Sequence, residues 1–455
     1  MMVDLVFVGG GPAGYEGAIA AAKKGLKAAV VEADKLGGTC LQRGCIPTKA
    51  MLHSVKAIKH FRQLGKLGIE AGEYKVNYAE MVKRRERIVS KNTKGIEFLF
   101  KKYGIELISG RGRLAAPGKV ALADGGQIEA RHVCLATGSR AADLPFLKRD
   151  GRIVLNSDDL LDLKDIPRSL LVVGAGAVGL EWALIFAYLG SQVTVAEIMD
   201  QVLPGTDREI ADILQNELQK QGLRITTATS ISAPRLGDGI CLTCKQGEKS
   251  WEERADKVLL AVGRLPESRD IADPHSGLTV DGKGFVAVDG NLRTSIPGVF
   301  ACGDLVGPPL LAHKAAHQAV AVVDFIAGGQ AVGHQSVPAA VFTFPEVATV
   351  GFSEREARER LGKVVVGRFP YAAGSRANTM DEKSGLVKVI ATETGVIVGG
   401  HIVGADAGEL LPLLTYAVQH QLTAMAFKEL ILIHPTLGEN VWEAIGEVAG
   451  FSIHL

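Results

Sequence analysis

Cys40 and Cys45, five residues apart, and Lys49, four residues further on, are the chain's strongest candidates for chemistry. They lie in the run Gly37-Gly38-Thr39-Cys40-Leu41-Gln42-Arg43-Gly44-Cys45-Ile46-Pro47-Thr48-Lys49. Along a regular helix five residues rise ~7.5 Å, whereas disulfide-bonded Cα atoms lie ~5.5–6 Å apart. The pair can therefore bridge only where the first turn is distorted, and Gly44 beside Cys45 eases that. A strained disulfide lining a cleft is suited to exchange rather than stapling. The alternative is two unrelated buried thiols. Near the other end, His434-Pro435-Thr436-Leu437-Gly438-Glu439 sets an imidazole five residues before a carboxylate. Imidazole titrates closest to neutrality, and a nearby acid can orient it as a general base. A histidine standing alone is more often structural.

Something must position these groups. Leu5-Val6-Phe7-Val8 is an apolar strand followed by Gly9-Gly10-Gly11-Pro12-Ala13-Gly14, an Ala-rich helix over 13–24, and a second strand, 27–31, ending in Glu32. Gly9, Gly11 and Gly14 give the tight turn and close backbone approach that a pyrophosphate needs, at a helix N-terminus that favours the anion. Glu32 is placed to accept from ribose hydroxyls. The device returns: Leu170–Val173, then Gly174, Gly176 and Gly179 opening a helix to about 189, then the strand 192–196 ending in Glu197. The spacing from first glycine to acid is the same in both copies, and two copies argue for two dinucleotide sites.

The chain has 455 residues, too many for one core and suggestive of about three domains. With 51 basic and 50 acidic residues it carries no excess charge that would argue for nucleic acid or an anionic membrane. No apolar run is long enough to span a bilayer and no signal peptide is visible. Six cysteines are few for this length, which suits a reducing compartment. The expected location is cytoplasmic, or the mitochondrial matrix once a transit peptide is removed.

Residues 79–102 read as a charged helix with a solvated face. Residues 105–140 and 223–262 read as strands, a small β insertion for each nucleotide unit. Residues 294–304 read as a buried strand delivering Asp304 to a glycine turn, where a carboxylate could hold a sugar-like polyol. Beyond 337, strands at 340–350, 385–390 and 396–403 precede helices at 407–419 and 424–430. Cys241 and Cys244 form C-x-x-C inside a strand, which puts their side chains on opposite faces and argues against a metal or redox site. Cys134 and Cys302 read as small buried hydrophobes. No metal site is expected.

These motifs resemble the flavin-dependent pyridine nucleotide–disulfide oxidoreductases, and the likeness runs from the first strand to the C-terminus. GGTCLQRGCIPTK and HPTLGE carry it most specifically. The resemblance implies an α/β architecture with an FAD-binding domain at 1–145, an NAD-binding domain at 146–268, a segment at 269–336 completing the FAD domain, and an α+β dimerisation domain at 337–455. It implies FAD in the first unit, with Glu32 on its ribose and Asp304 on its ribityl chain. Gly112, Thr137, Gly138, Ser139, Leu311, Ala312 and His313 would line the same site. NAD would occupy the second unit, with Glu197 and Gly263. Lys49 would sit by the reactive edge of the flavin, ion-paired with Glu181. Cys45 matches the flavin-side thiol and Cys40 the exchanging one, while His434 would serve the disulfide of the partner in a homodimer.

The implied activity is oxidation of dihydrolipoyl groups, borne on a protein of a 2-oxo acid dehydrogenase or glycine cleavage complex, with reduction of NAD. The alternatives are a reductase of glutathione-like disulfides or of a metal ion, and a non-catalytic flavoprotein redox sensor. The chain departs from the usual pattern at Gln42, Glu267, Ala316, His317, Gln318 and Phe344. None of these removes a catalytic group.

Overall fold

Met2–Val8 is apolar toward both faces of a sheet, the pattern of a strand covered on each side, and it forms the centre of the first unit. The computed structural model describes residues 2–329 and 336–454, so residues 330–335 of the 269–336 segment lie outside the described residues. In chain order the first unit holds β1 (Met2–Val8), α1 (Pro12–Lys23), β2 (Ala28–Glu32), α2 (Gly38–Arg43), α3 (Cys45–Gln63), α4 (Tyr78–Tyr103), β3 (Glu106–Ser109), β4 (Gly112–Ala116), β5 (Lys119–Leu122), β6 (Gln127–Leu135) and β7 (Ser139–Ala141). Its sheet runs β3-β2-β1-β6-β5-β4. The β3-β2-β1-β6 part is parallel, and β4 and β5 form an antiparallel appendage.

The second unit repeats the plan with β8 (Val154–Leu155), α5 (Ser157–Asp162), β9 (Ser169–Val173), α6 (Ala177–Tyr188), β10 (Gln192–Ala196), α7 (Arg208–Lys220), β11 (Arg224–Thr226), β12 (Ser230–Leu236), β13 (Ile240–Gln246), β14 (Lys249–Ala255), β15 (Lys257–Leu260) and β16 (Arg264–Pro266). The β11-β10-β9-β15-β8 sheet is parallel, and β12-β13-β14 is a separate antiparallel sheet. The chain then returns to the first sheet: β17 (Val299–Ala301) pairs with β6, and α8 (Ala312–Ile326) packs on α1. Only three residues of the predicted 294–304 strand are in the ladder, and Asp304 sits just past it in a short 3-10 turn, Gly303–Val306.

A third, antiparallel sheet, β18-β19-β22-β21-β20, is built from β18 (Ala339–Val341), β19 (Glu346–Gly351), β20 (Val364–Pro370), β21 (Leu386–Thr392) and β22 (Ile397–Gly404). Its helices are α9 (Glu354–Leu361), α10 (Ser375–Thr379), α11 (Ala407–Gln419) and α12 (Gly438–Ala449). The predicted strand 340–350 is a hairpin, because Pro345 has no amide to give a ladder. The predicted helix 424–430 is a single 3-10 turn, Ala424–Phe427. α4 is less solvated than its charges suggest: Arg85 is buried and donates to Leu161 O at 2.6 Å, and Arg84 donates to Ala50 O at 2.9 Å. Among the described residues no helix is long and apolar enough to cross a membrane.

One apolar cluster joins the units. Met51, Leu52 and Val55 of α3 pack with Trp182 and Phe186 of α6 and with Val341 and Phe344 of the third sheet's domain. The helix that begins at Cys45 is thus held by all three parts of the chain.

Candidate active site

α2 stops and α3 starts at Gly44, which has φ −127° and ψ −110° and belongs to neither helix. Cys40 therefore sits on one short helix and Cys45 is the first residue of the next. The two cysteines lie close together across this break, consistent with a redox-active pair. A Cβ on Gly44 would lie 2.9 Å from Thr39 O and 3.3 Å from the Cys40 Cα, so a larger residue would push the two segments apart. Pro47 is tolerated because it falls in the first turn of α3, and Thr48 Oγ1 donates to Gly44 O at 2.7 Å, tying the break down.

In the dithiol form Cys40 donates to Cys45. That bond, opposed by burial and helped by the Lys49 ammonium, brings the Cys45 thiol down to about 7, while the Cys40 thiol is held well up. The asymmetry favours Cys45 over Cys40 as the thiolate. Lys49, one turn along α3, reaches Glu181 at 2.9 and 2.7 Å. Glu181 lies in α6, a helix buried almost all round, and also accepts from Phe342 N at 3.0 Å. A buried carboxylate needs such partners. The Lys49 ammonium also lies 4.8 Å from the centre of the Phe342 ring. The sequence holds no signal for Phe342, because every residue but proline has a backbone amide to give.

The two glycine turns make matching close approaches. A Cβ on Gly14 would meet Gly9 O at 1.8 Å, and one on Gly179 would meet Gly174 O at 2.0 Å. Gly11 and Gly176 are different: the nearest atom to a Cβ is 3.8 Å away at Gly11, and none lies within 4 Å at Gly176. Each turn thus opens at its second glycine, ahead of a helix N-terminus, and fits a dinucleotide pyrophosphate. Glu32 accepts from Gly10 N at 2.6 Å and Asp34 N at 2.8 Å, and Glu197 from Ala175 N at 2.6 Å and Met199 N at 2.8 Å. Two amides leave each carboxylate with spare acceptor capacity for ribose hydroxyls.

Of the remaining cofactor candidates, Gly112 is buried at the start of β4, and Leu311 and Ala312 form the start of α8. His313 contacts Pro338 O at 2.7 Å through Nε2, and Gly263 precedes β16 with φ 115°. Thr137 Oγ1 donates to Glu267 O at 2.7 Å, and Glu267 N donates to Gly138 O at 2.8 Å. Ser139 Oγ donates to Asp304 Oδ2 at 2.5 Å.

His434 is exposed and its Nδ1 lies 2.9 Å from Glu439 Oε1, while Glu439 Oε2 accepts from Thr436 N at 2.7 Å. Burial pushes the Glu439 carboxyl up, but the Thr436 amide and the imidazole outweigh it and the net shift is down. The hydrogen bonds of Glu439 to His434 and to the Thr436 amide lie within one turn, whose neighbours Ile431 and Ile433 are 94% and 79% exposed.

The departures have structural partners. Gln42 Nε2 donates to Leu36 O at 2.6 Å and Thr93 Oγ1 at 2.9 Å, fastening α2 to α4. Gln318 Oε1 accepts from Gly303 N at 2.9 Å beside Asp304. Phe344 is buried against Tyr188, and Ala316 is buried in α8. Glu267 faces Arg140 at 3.3 Å. Cys241 and Cys244 occupy opposite faces of β13, the second buried. Cys134 and Cys302 are both buried, with sulfurs 3.5 Å apart, so they are neighbours as well as core residues.

This architecture, two dinucleotide folds around a cysteine pair and a third domain, defines a flavoprotein disulfide oxidoreductase. Residues 3–319 match the pyridine nucleotide-disulphide oxidoreductase family and residues 337–445 match its dimerisation domain, so the chain belongs to that family, whose cofactors are FAD and NAD. It is 40% identical to the dihydrolipoamide dehydrogenase of Chaetomium thermophilum, over 99% of this chain and 92% of that one. It is 36% identical to the dihydrolipoyl dehydrogenase of Bacillus subtilis, over 99% of this chain and 100% of that one. The crystal structure of LpdA from Mycobacterium tuberculosis is similar with a TM-score of 0.89 and 28% identity, over 97% of this chain and 99% of that one.

Proposed function

We propose that the chain catalyses the dihydrolipoyl dehydrogenase reaction, oxidising a protein-borne dihydrolipoyl group and reducing NAD. The observation that carries this reading is the Cys40/Cys45 pair at the break between α2 and α3, in a chain whose full-length relatives bear that name. Bound FAD supplies a two-electron carrier between thiols and nicotinamide. The chain's own residues do the rest. The substrate dithiol gives one proton to His434 and attacks Cys40, opening the Cys40–Cys45 disulfide. The second substrate sulfur closes its own ring and releases Cys40 as a thiol, with Cys45 left as thiolate beside Lys49. Two electrons and one proton then pass to NAD and one proton to solvent, so substrate dithiol and NAD become substrate disulfide, NADH and H⁺.

The proposed roles of the side chains extend the reading. Glu181 holds Lys49, Glu439 orients His434, and Glu32, Gly112, Thr137–Ser139, Asp304 and 311–313 hold FAD, while Glu197 and Gly263 hold NAD. The exposed Ile431–His434 turn is set to reach the disulfide of a second copy, in a homodimer built through the 337–455 domain. The units are proposed as 1–145 with 269–336, 146–268 and 337–455. A lipoyl-bearing partner and a cytoplasmic or mitochondrial-matrix location complete the reading.

A steady-state assay of dihydrolipoamide against glutathione disulfide, each with both nicotinamides, tests it. Turnover with dihydrolipoamide and NAD is expected. Faster reduction of glutathione disulfide would favour the other disulfide reductases.

A further inference from the structure

The two nucleotide-binding units meet at a two-stranded antiparallel ribbon, β7 against β16, with Ala141 opposite Arg264 and Ser139 opposite Pro266. Across it Arg264 reaches back. Its Nε donates to Ser139 Oγ at 2.7 Å and its Nη2 donates to Ser139 O at 2.6 Å. The same Ser139 Oγ lies 2.5 Å from Asp304 Oδ2. A guanidinium can only donate, so the hydroxyl accepts from Arg264 and its single proton is left for Asp304. The relay has one direction, from the second unit, through Ser139, to a carboxylate of the first. Among the described residues the other Asp304 carboxylate oxygen takes no hydrogen bond. The joint is reinforced on either side by Thr137 and Gly138 with the Glu267 backbone, and by Arg140 with the Glu267 carboxylate.

We propose that Arg264 is a positioning residue for the flavin: through Ser139 it aims the Asp304 carboxylate, so the second unit's terminal strand tightens FAD bound in the first. The proposal rests on the reading of Asp304 as acceptor for the ribityl hydroxyls. Without the guanidinium the Ser139 hydroxyl is free to turn to other partners, and Asp304 loses its fixed direction. The polyol then meets an acceptor that must be ordered on binding, and lost preorganisation costs affinity.

FAD dissociation constants of the apoprotein, measured by quenching of flavin fluorescence, test this in wild type, Arg264→Met, Arg264→Lys, Ser139→Ala and the double variant Arg264→Met/Ser139→Ala. Each of Arg264→Met and Ser139→Ala is expected to raise Kd about tenfold, the scale of one hydrogen bond to a charged group. Arg264→Lys should recover part of the loss. Because the two bonds act in series, the double variant should be no weaker than either single one. A double variant weaker by about a hundredfold means independent effects and overturns the proposal. So does an Arg264→Met Kd within about twofold of wild type. Thermal midpoints of the apoproteins check folding, and should Arg264→Met not fold, Arg264→Lys and Ser139→Ala decide by the same measurement. Wild-type protein that binds no FAD would remove the flavin reading and this inference together, whereas binding indifferent to Arg264 removes this inference alone.

Discussion

His434 Nδ1 lies 2.9 Å from Glu439 Oε1, and the other Glu439 oxygen is held by the Thr436 amide at 2.7 Å. The carboxylate thus fixes one ring nitrogen and turns the other outward, as a base acting on an external thiol requires. A free thiol with a pKa of about 8.5 is mostly protonated near neutrality, so the dithiol needs such a base. His434→Gln should lower kcat/KM for dihydrolipoamide by about 10²–10⁴-fold, and Glu439→Gln by less. Electron transfer from NADH to an artificial flavin acceptor should survive both, since it bypasses the thiols. Equal loss in both assays would show damage to the flavin site instead.

The exposure of the Ile431–His434 turn gives a second expectation. His434→Gln and Cys45→Ser chains, each inactive alone, should regain activity when mixed as heterodimers, because one site then keeps both disulfide and base. Heterodimers that form but stay inactive would place base and disulfide in one chain.

The Cys45 thiol is brought down to about 7 chiefly by the Cys40 thiol, against burial and with help from Lys49. A thiolate is lost as pH falls through its pKa, so the long-wavelength thiolate-to-flavin absorbance of the two-electron-reduced protein should weaken below about 7. Lys49→Met removes a cation and should move that midpoint upward. A midpoint that stays put would mean Lys49 contributes no field at Cys45.

Serine substitutions separate the thiols. Cys40→Ser should abolish dihydrolipoamide turnover yet keep a Cys45 thiolate band, and Cys45→Ser should lose both. Cys241→Ser and Cys244→Ser, in the outlying β12-β13-β14 sheet, should leave turnover nearly unchanged. Inactivation by either of the last two, with Cys40→Ser active, would refute the assignment.

Glu197 is buried at the end of β10 with its carboxylate held by two amides, and the next residues, Ile198 and Met199, offer no cation. A 2′-phosphate would meet an uncompensated like charge, worth several kcal/mol, so kcat/KM should favour NAD over NADP by about a hundredfold or more. Equal values would defeat this.

The sequence by itself determined the two glycine turns with their acids, the distorted cysteine spacing and the His434–Glu439 pair, because these are local: a tight turn, a helix start and a five-residue reach are set by neighbouring residue types. The α11 span also emerged intact, 407–419, since its apolar face repeats over three turns. Tertiary structure decided what depends on residues far apart. Phe342 holds Glu181 through a backbone amide, Arg264 reaches Ser139 across the joint of two units, and Cys302 meets Cys134 only because β17 returns to the first sheet after the whole second unit. The Ala340–Val350 run reads as one strand because it is rich in β-branched and aromatic residues. Only the pairing of β18 with β19 shows that the chain must turn at Phe344-Pro345, where proline has no hydrogen to give the ladder. Contacts between distant segments come from burial shared among them, and no single stretch of sequence contains that sum.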